Sequence, residues 1–226
     1  MTTLSIIQPS YLPWLGYFDQ IKRSDYFIFY DDVQYDKNGW RNRNKIKLNS
    51  KIQWLTVPVV TKNRFGQLIM DVQIHDQKDW RRQHLKMLHH AYSKSKNYDF
   101  LFTLLEEGYK FDTNNLSDLN IFFINIFLAA LEIKTKVYKS SEILNDGNKN
   151  SRLVNFCLNL GVNEYLTGDS ASEYLDIELF KQHSINITYQ KYNHPEYKQL
   201  GDSKFSPYLS IVDLLANEGS NAIKII

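Results

Sequence analysis

Short apolar runs alternate along this chain with stretches of helical period, and their order predicts the fold. Residues 3–8 form a compact apolar run suited to a buried strand, and Leu15, Phe18 and Ile21 follow at helical spacing. Residues 26–30 are aromatic and apolar, so strand, loop, helix and strand make a βαβ unit whose first crossover loop runs from Gln8 to Gly16. Residues 54–60 and 68–74 predict a hairpin about the polar turn 61–66. From Asp79 the period turns helical, with Trp80, His84, Met87, Leu88 and Ala91 on one face, and helices are expected over 100–105 and 119–131. Strand and helix then alternate again. Strands are expected at 136–138, 164–167 and 185–192, and helices at 152–160, closed by Gly161, and at 174–183. Ser206-Pro207 precedes a final helix within 205–215.

This order predicts an α/β fold: a Rossmann-like, mainly parallel sheet built by the first and last thirds of the chain, with a β-hairpin and a helical insertion in the middle. All 226 residues are expected to form a single α/β domain, with residues 79–133 as the helical insertion or cap. Ligands of such sheets bind beyond the carboxyl ends of the strands. That rule gathers residues 8–16, 31–35, 168–170 and 193–199 on one expected surface.

Composition narrows the classes. With 27 basic and 25 acidic residues the chain carries no strong global field, so nucleic acid is not an expected partner; that reading rests on residues 40–47 alone. The single Cys157 excludes an intramolecular disulfide framework and reads as a small core residue within its helix. The most apolar segment, 121–133, is broken by Asn125 and Glu132 and is shorter than the ~20 residues a membrane span needs. No signal-peptide pattern opens the chain, and a cytoplasmic location is expected.

Candidate chemistry collects at the predicted strand ends. The loop carrying Gln8, Tyr11 and Trp14 leaves a strand for a helix, where backbone N–H groups can meet a phosphate or carboxylate; the alternative is an aromatic structural turn. It lacks the Gly-rich phosphate fingerprints. Asp31 and Asp32 end the second strand and could hold Mg²⁺ beside nucleotide phosphates, or serve as acid or base, or simply terminate the strand in solvent. Gln34 follows them. Trp40, Arg41, Asn42, Arg43, Asn44 and Lys45 interleave amides with charges, as a local anion clamp would. His194, with Tyr192, Tyr197 and Gln199, follows the last strand and could act as acid, base or phosphate donor, or as a structural hydrogen-bonding residue. His84, His89 and His90 do not make a zinc-binding spacing.

The blocks IQPSYLPWLGYF (7–18), DDVQY (31–35), Asn42-Arg43, WLTVP (54–58), HPEY (194–197) and LSIVD (209–213) resemble the WbqC-like family over nearly the whole chain. Its association with surface-polysaccharide (O-antigen type) gene clusters implies a cytoplasmic role in making or decorating a nucleotide-linked sugar, and the expected activity is that of a transferase or amide ligase that modifies a nucleotide-linked amino sugar by acyl or aminoacyl transfer. In that reading Gln8 and the loop 11–16 hold the nucleotide or carbonyl group, Asn42 and Arg43 bind phosphate, Asp32 positions a metal or amine, and His194 is the base. The cofactor is left open, with ATP and Mg as the candidate. The order strand, Pro-containing loop, helix, strand is also similar to the opening of HUP-type nucleotide-binding domains, although Leu12-Pro13-Trp14-Leu15-Gly16 lacks their histidines. The alternative is a non-catalytic protein that binds a sugar or nucleotide-sugar and docks a glycosyltransferase.

Overall fold

The computed structural model describes residues 1–37, 39–75, 79–201 and 204–226. In chain order its elements are β1 (Thr3–Ile7), α1 (Leu15–Lys22), β2 (Tyr26–Phe29), β3 (Arg43–Leu48), β4 (Lys51–Thr56), α2 (Trp80–Tyr92), α3 (Tyr98–Lys110), α4 (Leu116–Ala130), β5 (Lys136–Lys139), α5 (Lys149–Asn159), β6 (Glu164–Thr167), α6 (Ile177–Gln182), β7 (Asn186–Tyr189) and α7 (Ile211–Glu218). Five strands form one parallel sheet in the order β5-β2-β1-β6-β7. The chain steps outward from β1 to β2 and β5, then returns past β1 to β6 and β7. Strand order therefore reverses between β1 and β6, the crevice where sheets of this kind take ligands. The mixed α/β, Rossmann-like architecture expected from the periodicity is the one observed.

Period-two alternation divides the core. Phe27 and Phe29 of β2 pack with α1, α2, α3, α4 and α7, while Ile28 joins Leu4 and Ile6 against Phe156 of α5 and Phe180 of α6. Cys157 is buried in that second cluster, and burial pushes its thiol up to about 12, far from thiolate reactivity. Among the described residues no helix is long and apolar enough to cross a membrane.

The hairpin lies elsewhere than the sequence pattern predicts. It pairs β3 with β4, from Arg43↔Thr56 to Leu48↔Lys51, about Asn49 and Ser50, whose φ values of 47° and 63° give the twist of a two-residue hairpin turn. β3 hides in the sequence because its outward positions are Arg43 and Lys45, which read as a basic loop. Residues 68–74 make a 3₁₀ turn (Ile69–Asp71) instead of a strand. Their amides go to three partners: Ile69 to Val33, Met70 to Asp31 and Ile74 to Asn114. Only a single bridge, Val59↔Ile74, remains of the expected pairing. Helix α7 starts at Ile211, capped by Ser210 and not by Ser206-Pro207.

Helices α3 and α4 meet at Gly108, where a Cβ would sit 2.0 Å from the fully buried Phe123 ring. Gly108→Ala therefore gains about 1 kcal/mol of helix propensity but overpacks the contact by more. We expect a net loss of about 1–2 kcal/mol, read as a lower urea midpoint with unchanged slope.

Candidate functional site

The loop leaving β1 is held in a conformation that its sequence does not favour. Leu12, fully buried, has φ of 42°, the left-handed region that costs a non-glycine residue about 1–2 kcal/mol. Its carbonyl accepts from Asn44 Nδ2 and Ser210 Oγ, both at 2.7 Å, and Asn44 Nδ2 also reaches Tyr11 O at 3.2 Å. Ile211 N donates to Pro13 O, and Trp14 bridges Ser210. Asn120 on α4 donates to Pro9 O and Arg41 O, at 3.3 and 2.8 Å. The loop is thus clamped between β3, α4 and the start of α7.

Clamping delivers Trp14 onto Gly16, where an added Cβ would lie 2.2 Å from the indole. Trp14, Trp40 and Tyr208 line an almost wholly apolar pocket of about 320 Å³. Trp40 in turn packs on Trp54 with centroids 5.4 Å apart, and Lys45 Nζ lies over both rings at 5.1 and 5.0 Å. Aromatic faces with a cation at the rim suit a sugar or base carrying negative charge.

His194 borders the same pocket, stacked on Trp14 at 6.4 Å and edge-on to Tyr208 at 5.2 Å. Its Nδ1 lies 2.9 Å from Pro195 O, and a carbonyl only accepts, so Nδ1 carries the proton and Nε2 keeps its lone pair. Nε2 is buried and has no partner among the described residues. Burial lowers the imidazole below its ordinary value, which keeps it neutral at pH 7.

The other expected residues go elsewhere. Tyr11 is fully buried, its hydroxyl bonded to Tyr109 OH and to His84 Nδ1. Tyr197 donates to Asp213 Oδ2 at 2.8 Å, opposite Tyr92 on Oδ1 at 3.0 Å. Asn42 donates to Val57 O inside the core, while Arg43 lies over Trp54. Gln8 Nε2 reaches the carbonyl of Gln34 at 3.5 Å, and the Gln34 side chain is exposed.

Asp31 accepts from Ser140 Oγ, Ser141 N and Ser141 Oγ, and Asp32 from Ser140 Oγ and the Arg152 guanidinium. A divalent cation would have to displace these donors, so the pair does not fit a metal site as it stands. Among the described residues no three His, Cys, Asp or Glu side chains converge on such a site. Asp32 and His194 share no contact: one belongs to the β2–β5 end of the sheet, the other to the aromatic pocket. Sequence reasoning missed Tyr208, read as part of a helix, and Asn120, and it saw Ser210 only as part of the LSIVD block, since Asn120 and Ser210 act through backbone carbonyls.

The sequence model of the WbqC-like protein family matches residues 8–225. An uncharacterized protein of Mycobacterium tuberculosis is 42% identical over 229 residues, covering 98% of this chain and 96% of its own length. No solved structure matches the chain.

Burial pushes His84, which holds the Tyr11 and Tyr109 hydroxyls, down from 6.5 to about 4. Between those values the unfolded chain binds the extra proton, so this contribution to stability is complete above pH 6.5 and is lost as pH falls toward 4. His84→Gln should therefore remove roughly 2–3 kcal/mol of the difference between urea stabilities at pH 7 and pH 4.5. An unchanged difference would mean that the imidazole is not buried neutral.

Proposed function

Since the chain belongs to the WbqC-like protein family, we propose that it transfers an acyl or aminoacyl group to the amine of a nucleotide-linked amino sugar in bacterial surface-polysaccharide assembly. The observation that carries this reading is the pocket of Trp14, Trp40 and Tyr208 with the unpartnered Nε2 of His194 on its border. A pyranose or base ring stacks on indole faces, and such stacking contributes about 1–3 kcal/mol per ring.

In the transfer step the sugar amine attacks the carbonyl carbon of the activated donor. The new C–N bond forms as the donor's leaving group departs, and His194 Nε2 takes the proton that the amine gives up. A neutral imidazole is in the protonation state that a base needs, while the burial that keeps it neutral also makes it a weaker base. Lys45 and Arg43, over the indoles, lower the local potential energy of the nucleotide phosphates. ATP, if it activates the acyl donor, supplies the leaving group before this step. Asp31 and Asp32 take no part in the step as written, their oxygens being held by Ser140, Ser141 and Arg152.

Single-turnover kinetics with a dTDP-linked amino sugar and an activated acyl donor test the assignment. His194→Gln should cut the chemical rate by about 10²-fold or more with sugar affinity unchanged, and Trp40→Ala should weaken affinity about tenfold. Loss of binding in Trp40→Ala with no turnover in any form favours the non-catalytic sugar-binding protein. Full turnover in His194→Gln removes the base from the mechanism.

A further inference from the structure

Arg41 turns its guanidinium back under the end of β1. Nη1 donates to Ser10 Oγ at 2.5 Å and to Gln8 O at 3.4 Å. The other edge of the group is unused: Nε is buried without a partner, and Nη2 makes no hydrogen bond among the described residues. Asp36 is the carboxylate whose charge acts on Arg41. A buried guanidinium nitrogen without a hydrogen-bond partner is disfavoured, and the Nε–Nη2 edge is the side of arginine that grips a carboxylate or phosphate with two parallel bonds.

Its surroundings fit the same need. Asn120 fixes the Arg41 backbone, and Tyr17 OH bonds Gln8 O at 3.2 Å, so the group is held in place from both sides. Tyr35 OH and Gln8 Oε1 are buried and unpartnered among the described residues, and Gln8, whose backbone carbonyl accepts from Arg41, reaches the carbonyl of Gln34, the residue before Tyr35, with its side-chain amide. The Gln8 amide can be turned over, which would offer an N–H in place of its oxygen. The Asp36 carboxylate lies over its own turn, where a Cβ on Gly39 would meet Oδ2 at 2.2 Å.

We propose that the Nε–Nη2 edge of Arg41, with Tyr35 OH beside it, is an oxyanion subsite that grips the diphosphate of the nucleotide-linked sugar whose ring stacks between Trp14, Trp40 and Tyr208. The proposal rests on the reading of that pocket given above. Arg41 lies next to Trp40 in the chain, and Ser10, its hydrogen-bond partner, lies four residues before Trp14. One ligand can therefore present its phosphates to the loop's inner end and its ring to the outer.

Calorimetric titration of the full chain with inorganic pyrophosphate, acetate and a dTDP-linked amino sugar tests it. Pyrophosphate should bind the wild type, at least tenfold more weakly in Arg41→Gln and with part of the loss restored in Arg41→Lys. Trp40→Ala should leave pyrophosphate affinity intact while weakening the nucleotide-sugar. Should Arg41→Gln fail to fold, Tyr35→Phe serves instead: its hydroxyl has no partner to lose, so the melt should hold while pyrophosphate affinity drops. No binding of pyrophosphate, or equal affinity in the wild type and these variants, overturns the subsite. Arg41-dependent acetate binding tighter than that of pyrophosphate overturns the assignment to phosphate. Nucleotide-sugar affinity that depends on Arg41 but not on Trp40 keeps the subsite and removes the pocket.

Discussion

Leu12 is a buried non-glycine residue with φ of 42°, and the two side chains that bond its carbonyl join three parts of the molecule. Asn44 comes from the hairpin. Ser210 comes from the start of α7, where its hydroxyl also accepts from Val212 N as the helix cap. The strain of about 1–2 kcal/mol is offset by these bonds only when the hairpin, the β1 loop and α7 are assembled together. From this follow the seat of Trp14 on Gly16, the approach of Tyr208 and the border formed by His194.

Polar groups around the loop fall into two kinds. Tyr11, Tyr109 and His84 form one closed buried network, and Asp213, Tyr92 and Tyr197 another, each fixing helices against the loop or the hairpin. Burial raises Asp213 above the usual carboxylate range, while its two phenol donors and Lys47 oppose that shift. Arg41 Nε, Tyr35 OH, Gln8 Oε1 and His194 Nε2 are buried with capacity unspent. Native interiors rarely leave such atoms unmatched; Asn120 Oδ1, Tyr192 OH and other buried atoms share that state, and these four are the ones the proposed ligand would meet.

The parallel sheet was legible because its strands are short apolar runs bounded by turn residues, and β1, β2 and β6 carry few charges to confuse the period. The hairpin was not: a strand written Arg-Asn-Lys-Ile-Lys-Leu hides its inward set behind half-buried cations that rest on Trp40 and Trp54. Of the site, Gln8 and His194 were read from their positions at strand ends and Trp40 from the amides and charges beside it, and the structure brings Trp40 and His194 to the pocket at Trp14. Which way Tyr11, Asn42 and Tyr197 point could not be read, because each is a polar side chain whose partner lies on another element. Asp31 and Asp32 resembled a metal pair in one dimension; Ser140, Ser141 and Arg152, more than a hundred residues away, decide otherwise in three.

A larger cavity, about 710 Å³, opens at the opposite, amino-terminal edge of the sheet, between Asp25, Lys22 and residues 132–136. It has no stacked aromatic platform and lies away from the strand ends that carry ligands in such folds. Hydrogen–deuterium exchange with and without a dTDP-linked amino sugar separates the two edges directly. We predict that protection rises in residues 8–16 and 190–199 and stays unchanged at 132–136. Protection confined to 132–136 would place the ligand at the wrong end of the sheet and contradict this account.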